Sequence, residues 1–215
     1  FGKAEVWALN EINSLLKLGK SVTIIPRNGK GKVINQDAKK FLCNTIDLPL
    51  FSAHILISCI RIIILRPIIF AKIMLGNFKH SNNISDFIKG LIVTPKSLYL
   101  ADSLKKENID HIHAMQTTST AFMAFVISTY KEIPWSYTLH TSENINNKYK
   151  RSLSFYSNSA SICRTISNAT ANDLISFLGS RLSDKVKVVH LGVSVSECEN
   201  MNARNNEQFT IVTPA

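Results

Sequence analysis

Cysteine is scarce in this 215-residue chain, and Cys43, Cys59, Cys163 and Cys198 form no CxxC pair, which excludes a paired-thiolate zinc cage and a disulfide framework. A reducing cytoplasm suits such a composition, and no secretory leader is visible at the start. Acid is also in short supply, with 15 Asp and Glu against 25 Lys and Arg, a formal charge of +10. The partner is therefore expected to be anionic: a membrane surface, a nucleotide or a nucleic acid. The lysines are scattered, and no basic-aromatic cluster of the single-strand or RNA-binding kind occurs, which disfavours nucleic acid.

The chain also lacks an unbroken apolar run of membrane-spanning length. The nearest approach, Leu48 to Phe78, is interrupted by His54, Arg61, Arg66, Pro67 and Lys72. Placing Arg61 in hydrocarbon would cost about 2.5–3.5 kcal/mol on insertion scales. Two shorter helices broken at Pro67 are expected instead. They are either buried against a sheet or lie in a membrane interface with their arginines reaching lipid phosphates.

What is present is a sustained alternation of helix and strand signals. With 45% hydrophobic residues the chain can bury one sizeable core. Val6, Leu9, Ile12, Leu15 and Leu16 recur at helical spacing, and Gly19 stands where a helix ends on a left-handed residue. A short buried strand, Ser21 to Pro26, follows, and then a surface loop from Arg27 to Lys40. A helix is expected from about Pro95 to Lys106, and another from about Thr117 to Tyr130 with Thr117, Thr118 and Ser119 available as caps. Strands are expected at His111 to Met115, Trp135 to Leu139, Ser161 to Ile166 and Val186 to His190. Such alternation means an α/β fold, a Rossmann-like parallel sheet with helices on both faces.

In open sheets of this kind, ligands bind at the carboxyl ends of the strands. Three segments there run an apolar strand into a polar, helix-opening cluster: HIHAMQTTSTAFMAF, PWSYTLHTSEN and SICRTISNATANDLI. Two of them carry histidines, His113 and His140, and a fourth segment, KVKVVHLGV, ends on His190 and Gly192. Taken alone, either histidine could be a satisfied core or capping group.

The order FGKAEVWALNEINSLLKLGKSVTIIP, DHIHAMQTTSTAFMAF, IPWSYTLHTSENI, ICRTISNATANDL and KVKVVHLGVSVSEC resembles the N-terminal, acceptor-side domain of family 4 glycosyltransferases. The resemblance implies one half of a two-domain GT-B architecture. Residues 1–198 would be the acceptor domain, truncated before Phe1 and lacking its first strand. Residues 199–207 would be a linker, and 208–215 the first strand of a donor domain.

By the same resemblance, the natural protein is a retaining glycosyltransferase of hexosyltransferase type. It would move a sugar from a nucleotide-sugar co-substrate to a polysaccharide or lipid-linked glycan. No metal and no further cofactor are expected, and the fragment alone would be inactive. The setting would be cytoplasmic, with peripheral contact at the inner membrane face.

His140 matches the family histidine that faces acceptor hydroxyl and donor sugar, and an imidazole there can orient the attacking hydroxyl. His113 and Gln116 match a turn expected to touch acceptor. Ser142 and Glu143 follow His140, with Glu143 standing where many members carry aspartate. Ser167 and Asn168 match a polar turn at a helix start, which helix capping alone would also explain. Gly2 matches the last glycine of a loop approaching donor phosphates. Ser194 departs from the usual aspartate after Gly-Val.

Two other classes stay open. One is a noncatalytic membrane-surface module using Leu48 to Phe78. The other is a metal-dependent hydrolase using the His111/His113 pair, which would need further ligands such as His140 and His190.

Overall fold

The computed structural model describes residues 6–29, 33, 35–104 and 107–192. Four strands, β1 (Ile112–Ala114), β2 (Trp135–Leu139), β3 (Ile162–Thr165) and β4 (Val186–Val188), form one sheet in that order. All three pairings are parallel, with His113 beside Ser136, Thr138 beside Arg164 and Arg164 beside Lys187. The described helices are α1 (Val6–Lys17), α2 (Ala53–Leu65), α3 (Pro67–His80), α4 (Ile84–Ser103), α5 (Ser119–Lys131), α6 (Lys150–Ser159) and α7 (Asn168–Leu178).

Every residue of β2 is buried, as a central parallel strand covered on both sides requires. Alternation along β2 sends Trp135, Tyr137 and Leu139 to one face, where α5 and α6 pack. Phe122, Tyr137, Tyr156 and Leu139 are almost wholly buried there. Each such side chain contributes roughly 1.5–3 kcal/mol relative to exposure. Burial also pushes the Tyr137 and Tyr156 hydroxyls and the Cys163 thiol upward in pKa, so that face carries no ready ionisation. The opposite face carries His113, Ser136, Thr138 and Arg164, and α1 lies over it through an ion pair between Glu11 and Arg164.

Helix α1 ends as its sequence predicts. Gly19 has φ +72°, Gly19 N–H donates to Leu16 O at 3.0 Å and Lys20 N–H to Leu15 O at 3.0 Å. The four predicted strands and the Thr117–Tyr130 helix are found with boundaries shifted by no more than two residues.

Three expectations need correction. Ser21 to Pro26 is not a sheet strand: only Ile24 makes a parallel bridge, to Thr45. The carbonyls of Val22 and Pro26, which a ladder would use, instead accept from the Asn44 side chain at 3.2 Å and the buried Lys96 ammonium at 2.6 Å. The Arg27–Lys40 loop is not wholly irregular, because a 3-10 segment (Gln36–Asn44) buries Ala38 and Phe41 against Leu9. The Pro95 helix begins at Ile84, since Asn83 caps Asp86 N–H at 3.0 Å and Pro95 is carried inside the helix.

The apolar outlier is two helices, α2 and α3, bent by 109° at the Arg66–Pro67 break, as expected from Pro67. No single described helix is long and apolar enough to cross a membrane. Cys59 and Ile62 of α2 and Ile73 of α3 belong to the main core cluster, and Ile55 is buried as well.

Candidate active site

The carboxyl ends of the four strands carry the turns in which most of the candidate residues stand. His140 follows β2, half-buried, and its Nε2 lies 2.8 Å from the Met115 carbonyl just past β1. A carbonyl only accepts, so Nε2 is the donor in this pair, and Nδ1 makes no hydrogen bond to the described residues and can face a substrate. Trp7 of α1 packs on the imidazole with ring centroids 4.4 Å apart, which holds the ring plane. The histidine is thus fixed in tautomer and orientation by a neighbouring strand end and a helix.

Ser142 and Glu143 stand in the short 3-10 turn Ser142–Asn144 after His140, and Glu143 is exposed. Ser142 Oγ donates to Thr170 Oγ1 at 3.4 Å, and Ser167 Oγ lies 3.0 Å from the same hydroxyl. The turns after β2 and β3 therefore meet over the first turn of α7. Ser167 also caps that helix, accepting Thr170 N–H at 3.1 Å. Such a cap contributes about 1 kcal/mol. Asn168 opens α7 and is exposed. Beside this junction lies a shallow cavity of about 390 Å³ lined by Ser142, Ile145, Asp173, Ser176 and Phe177.

Gln116 is exposed after β1. His113 is placed differently from its neighbours. It points into the face under α1, with Nδ1 2.7 Å from Ser136 Oγ and Nε2 2.9 Å from Thr138 Oγ1. Both ring nitrogens are engaged inside the fold. Burial pushes its pKa down to about 4, with Glu11 opposing the shift and Arg164, His111 and His140 adding to it, so the ring is neutral.

His111 Nε2 reaches the same Ser136 Oγ at 2.7 Å, so the HIH pair converges on a serine. His190 donates from Nδ1 to Ile166 O at 3.0 Å, tying the ends of β4 and β3. Among the described residues no group of three or more His, Cys, Asp or Glu is placed to hold a metal ion. Gly2 and Ser194 lie outside the described residues.

The chain matches the family model Glycosyltransferase Family 4 over residues 4–197. It belongs to the family 4 glycosyltransferases. No curated protein and no solved structure matches it. The family assignment and the Rossmann-like sheet agree, and the glycosyltransferase domain covers nearly the whole chain.

Sequence reasoning missed three features of this glycosyltransferase domain that sit at or beneath the strand ends. Trp7 packs on His140 from α1, a contact between residues far apart in the chain. Arg27 donates from Nη1 to Ser119 Oγ at 3.1 Å, which brings a cation to the start of α5, while Ser119 had been expected only as a cap. Lys96 holds the Arg27 loop by donating to three carbonyls, those of Pro26, Arg27 and Leu48. The only local signal for that role was a lysine set among the apolar residues of the second half of α4.

Proposed function

We propose that the natural protein is a retaining hexosyltransferase that moves a sugar from a nucleotide-sugar donor onto a polysaccharide or lipid-linked glycan, without metal or resident cofactor. This chain supplies the acceptor wall of a two-domain cleft at the cytoplasmic face of the inner membrane. In this reading the wall is residues 1–198; the linker, 199–207, and the start of the donor domain, 208–215, lie outside the described residues. The observation that carries the reading is His140. Its proton is committed to Met115 O, so Nδ1 is left to accept a hydrogen bond from the acceptor hydroxyl and aim its oxygen at the donor carbon.

Gln116, Ser142, Glu143 and Asn168 line the same side and contact the acceptor. Ser167 holds the α7 turn in place. His113 acts beneath the site by fixing the β1–β2 face, since both of its nitrogens are already engaged.

The test is transfer by the full natural protein from labelled nucleotide sugars to membrane glycan. His140→Ala is expected to lower kcat by at least about 10²-fold, the usual scale for a positioned proton-handling group. Donor affinity and thermal stability should stay near wild type. Wild-type turnover in that variant removes His140 from the reaction.

A further inference from the structure

Helices α2 and α3 carry large apolar side chains on their exposed as well as their covered sides. A soluble helix normally keeps one polar face, and a helix apolar all round is normally covered on every side. Here one side of each is packed, through Ile55, Cys59 and Ile62 on α2 and Ile73 and Gly76 on α3. The other side is open: Ile57, Ile60, Ile64, Leu65 and Ile68 are 58–73% exposed. Residues 57, 60 and 64 follow helical spacing, so this is one stripe of α2. Five such side chains present on the order of 500 Å² of apolar surface, at the upper range for a free monomer.

Charge decides what covers it. Between Asp47 and Asp86 there is no acidic residue, while Arg61, Arg66, Lys72 and Lys79 all occur there and are exposed. At the far end of α3, Phe78 is open to solvent. Beside it lies a groove of about 640 Å³ whose lining includes Lys79, Lys150 and Arg151. Arg151 holds that wall together, donating from Nη2 to Phe78 O at 3.0 Å and stacking 5.5 Å from the Phe78 ring centroid. An exposed aliphatic stripe on a segment that carries four exposed cations and no acidic residue matches an anionic bilayer, with chains in the acyl boundary and cations at the phosphates. Neither helix alone is long and apolar enough to span, and the inner side of each packs into the core.

We propose that α2 and α3 form the membrane-docking surface of this protein. They lie in the interface of an anionic bilayer, and the Lys79–Lys150–Arg151 groove receives lipid headgroup phosphates. This deepens the membrane-face part of the functional reading and does not depend on the transfer chemistry.

The experiment is cosedimentation of the full chain with vesicles of phosphatidylcholine alone or with about one-third phosphatidylglycerol. The protein is expected to pellet with the anionic vesicles, to release as salt rises, and to bind neutral vesicles weakly. Ile57→Asp/Ile64→Asp, both at exposed positions, should lower the partition coefficient at least about tenfold with the thermal midpoint unchanged. Lys79→Glu/Lys150→Glu should lower it about tenfold on anionic vesicles only.

His140→Ala should bind as wild type, so loss of transfer and loss of docking are read separately. Failure to pellet, or pelleting that the Ile57/Ile64 variant leaves intact, overturns the proposal. So does a dimer in sedimentation velocity that Ile57→Asp/Ile64→Asp dissolves, because a second copy is then the occupant.

Discussion

Arg164 illustrates how single residues hold the face beneath the site. Its guanidinium is nine-tenths buried and paired with Glu11 of α1, and it lies beside Thr138 in the sheet register. Removing one partner of such a pair leaves the other charge desolvated and unmatched, which costs about 3–5 kcal/mol. Arg164→Ala is therefore expected to destabilise the chain by about 3 kcal/mol, and the double variant Arg164→Met/Glu11→Met by clearly less. Urea midpoints for the wild type and both variants check this; equal midpoints would falsify it.

His113 makes a second residue-scale prediction, in pH. Its folded pKa, pushed down to about 4 by burial, is below the ordinary value of 6.5. Between those values the unfolded chain binds the extra proton, so the stability contribution is full above about pH 6.5 and is lost as pH falls toward 4. His80 and His111 are displaced downward by burial as well and act in the same direction. The urea midpoint is expected to fall from about pH 7 to about pH 5, and His113→Gln should weaken that dependence. A midpoint that is flat over this range contradicts the buried neutral histidine.

Among the elements, the crossing of α3 and α4 depends on the absence of a side chain. A Cβ at Gly90 would fall on the Asn77 carboxamide oxygen, and Asn77 is itself fully buried with Nδ2 donating to Phe87 O at 3.1 Å. Helix propensity favours alanine over glycine by about 1 kcal/mol, whereas overpacking costs typically 1–3 kcal/mol. The steric term wins because Asn77 is tethered and cannot swing aside. Gly90→Ala is expected to lower stability by about 1–2 kcal/mol, read from the thermal midpoint; a raised midpoint would show the crossing to be looser than described.

The same scale separates what was legible in sequence from what was not. Helix α1 with its Gly19 stop, β2 and the Pro67 break rest on short-range chemistry: spacing, a left-handed cap and a ring without an N–H. The lost Ser21–Pro26 strand and the early start of α4 do not. In the first, the carbonyls of Val22, Ile24 and Pro26 are taken by Asn44, Ile46 and Lys96, all more than twenty residues away. The second turns on an asparagine cap and a buried helix crossing that tolerate Pro95 inside the helix.

At the scale of the whole molecule the chain has two unlike outer surfaces. One is the row of strand ends, polar and half-open, where His140, the Ser142 turn and the start of α7 meet. The other is the cationic, aliphatic stripe of α2 and α3. In the functions proposed above, the first orients the acceptor hydroxyl and the second brings the domain to the bilayer. The vesicle and transfer measurements above are therefore expected to separate by variant: His140→Ala affects transfer alone, and Ile57→Asp/Ile64→Asp affects vesicle binding and, with it, transfer to membrane acceptors.

By itself the sequence determined the fold class, the order of the strand-end turns, the family and the broken apolar segment, because period, turn residues and motif order are local properties of the chain. Only the tertiary structure decided which histidine is available. His113 and His140 look alike in sequence, each near a strand end with polar residues after it. Register and the packing of α1 turn His113 inward onto Ser136 and Thr138, and bring His140 to Met115 and Trp7 with one nitrogen left to accept. The tertiary structure likewise decided which half of α2 is core and which is open, since a helix apolar on every side does not reveal its covered face until its neighbours are in place.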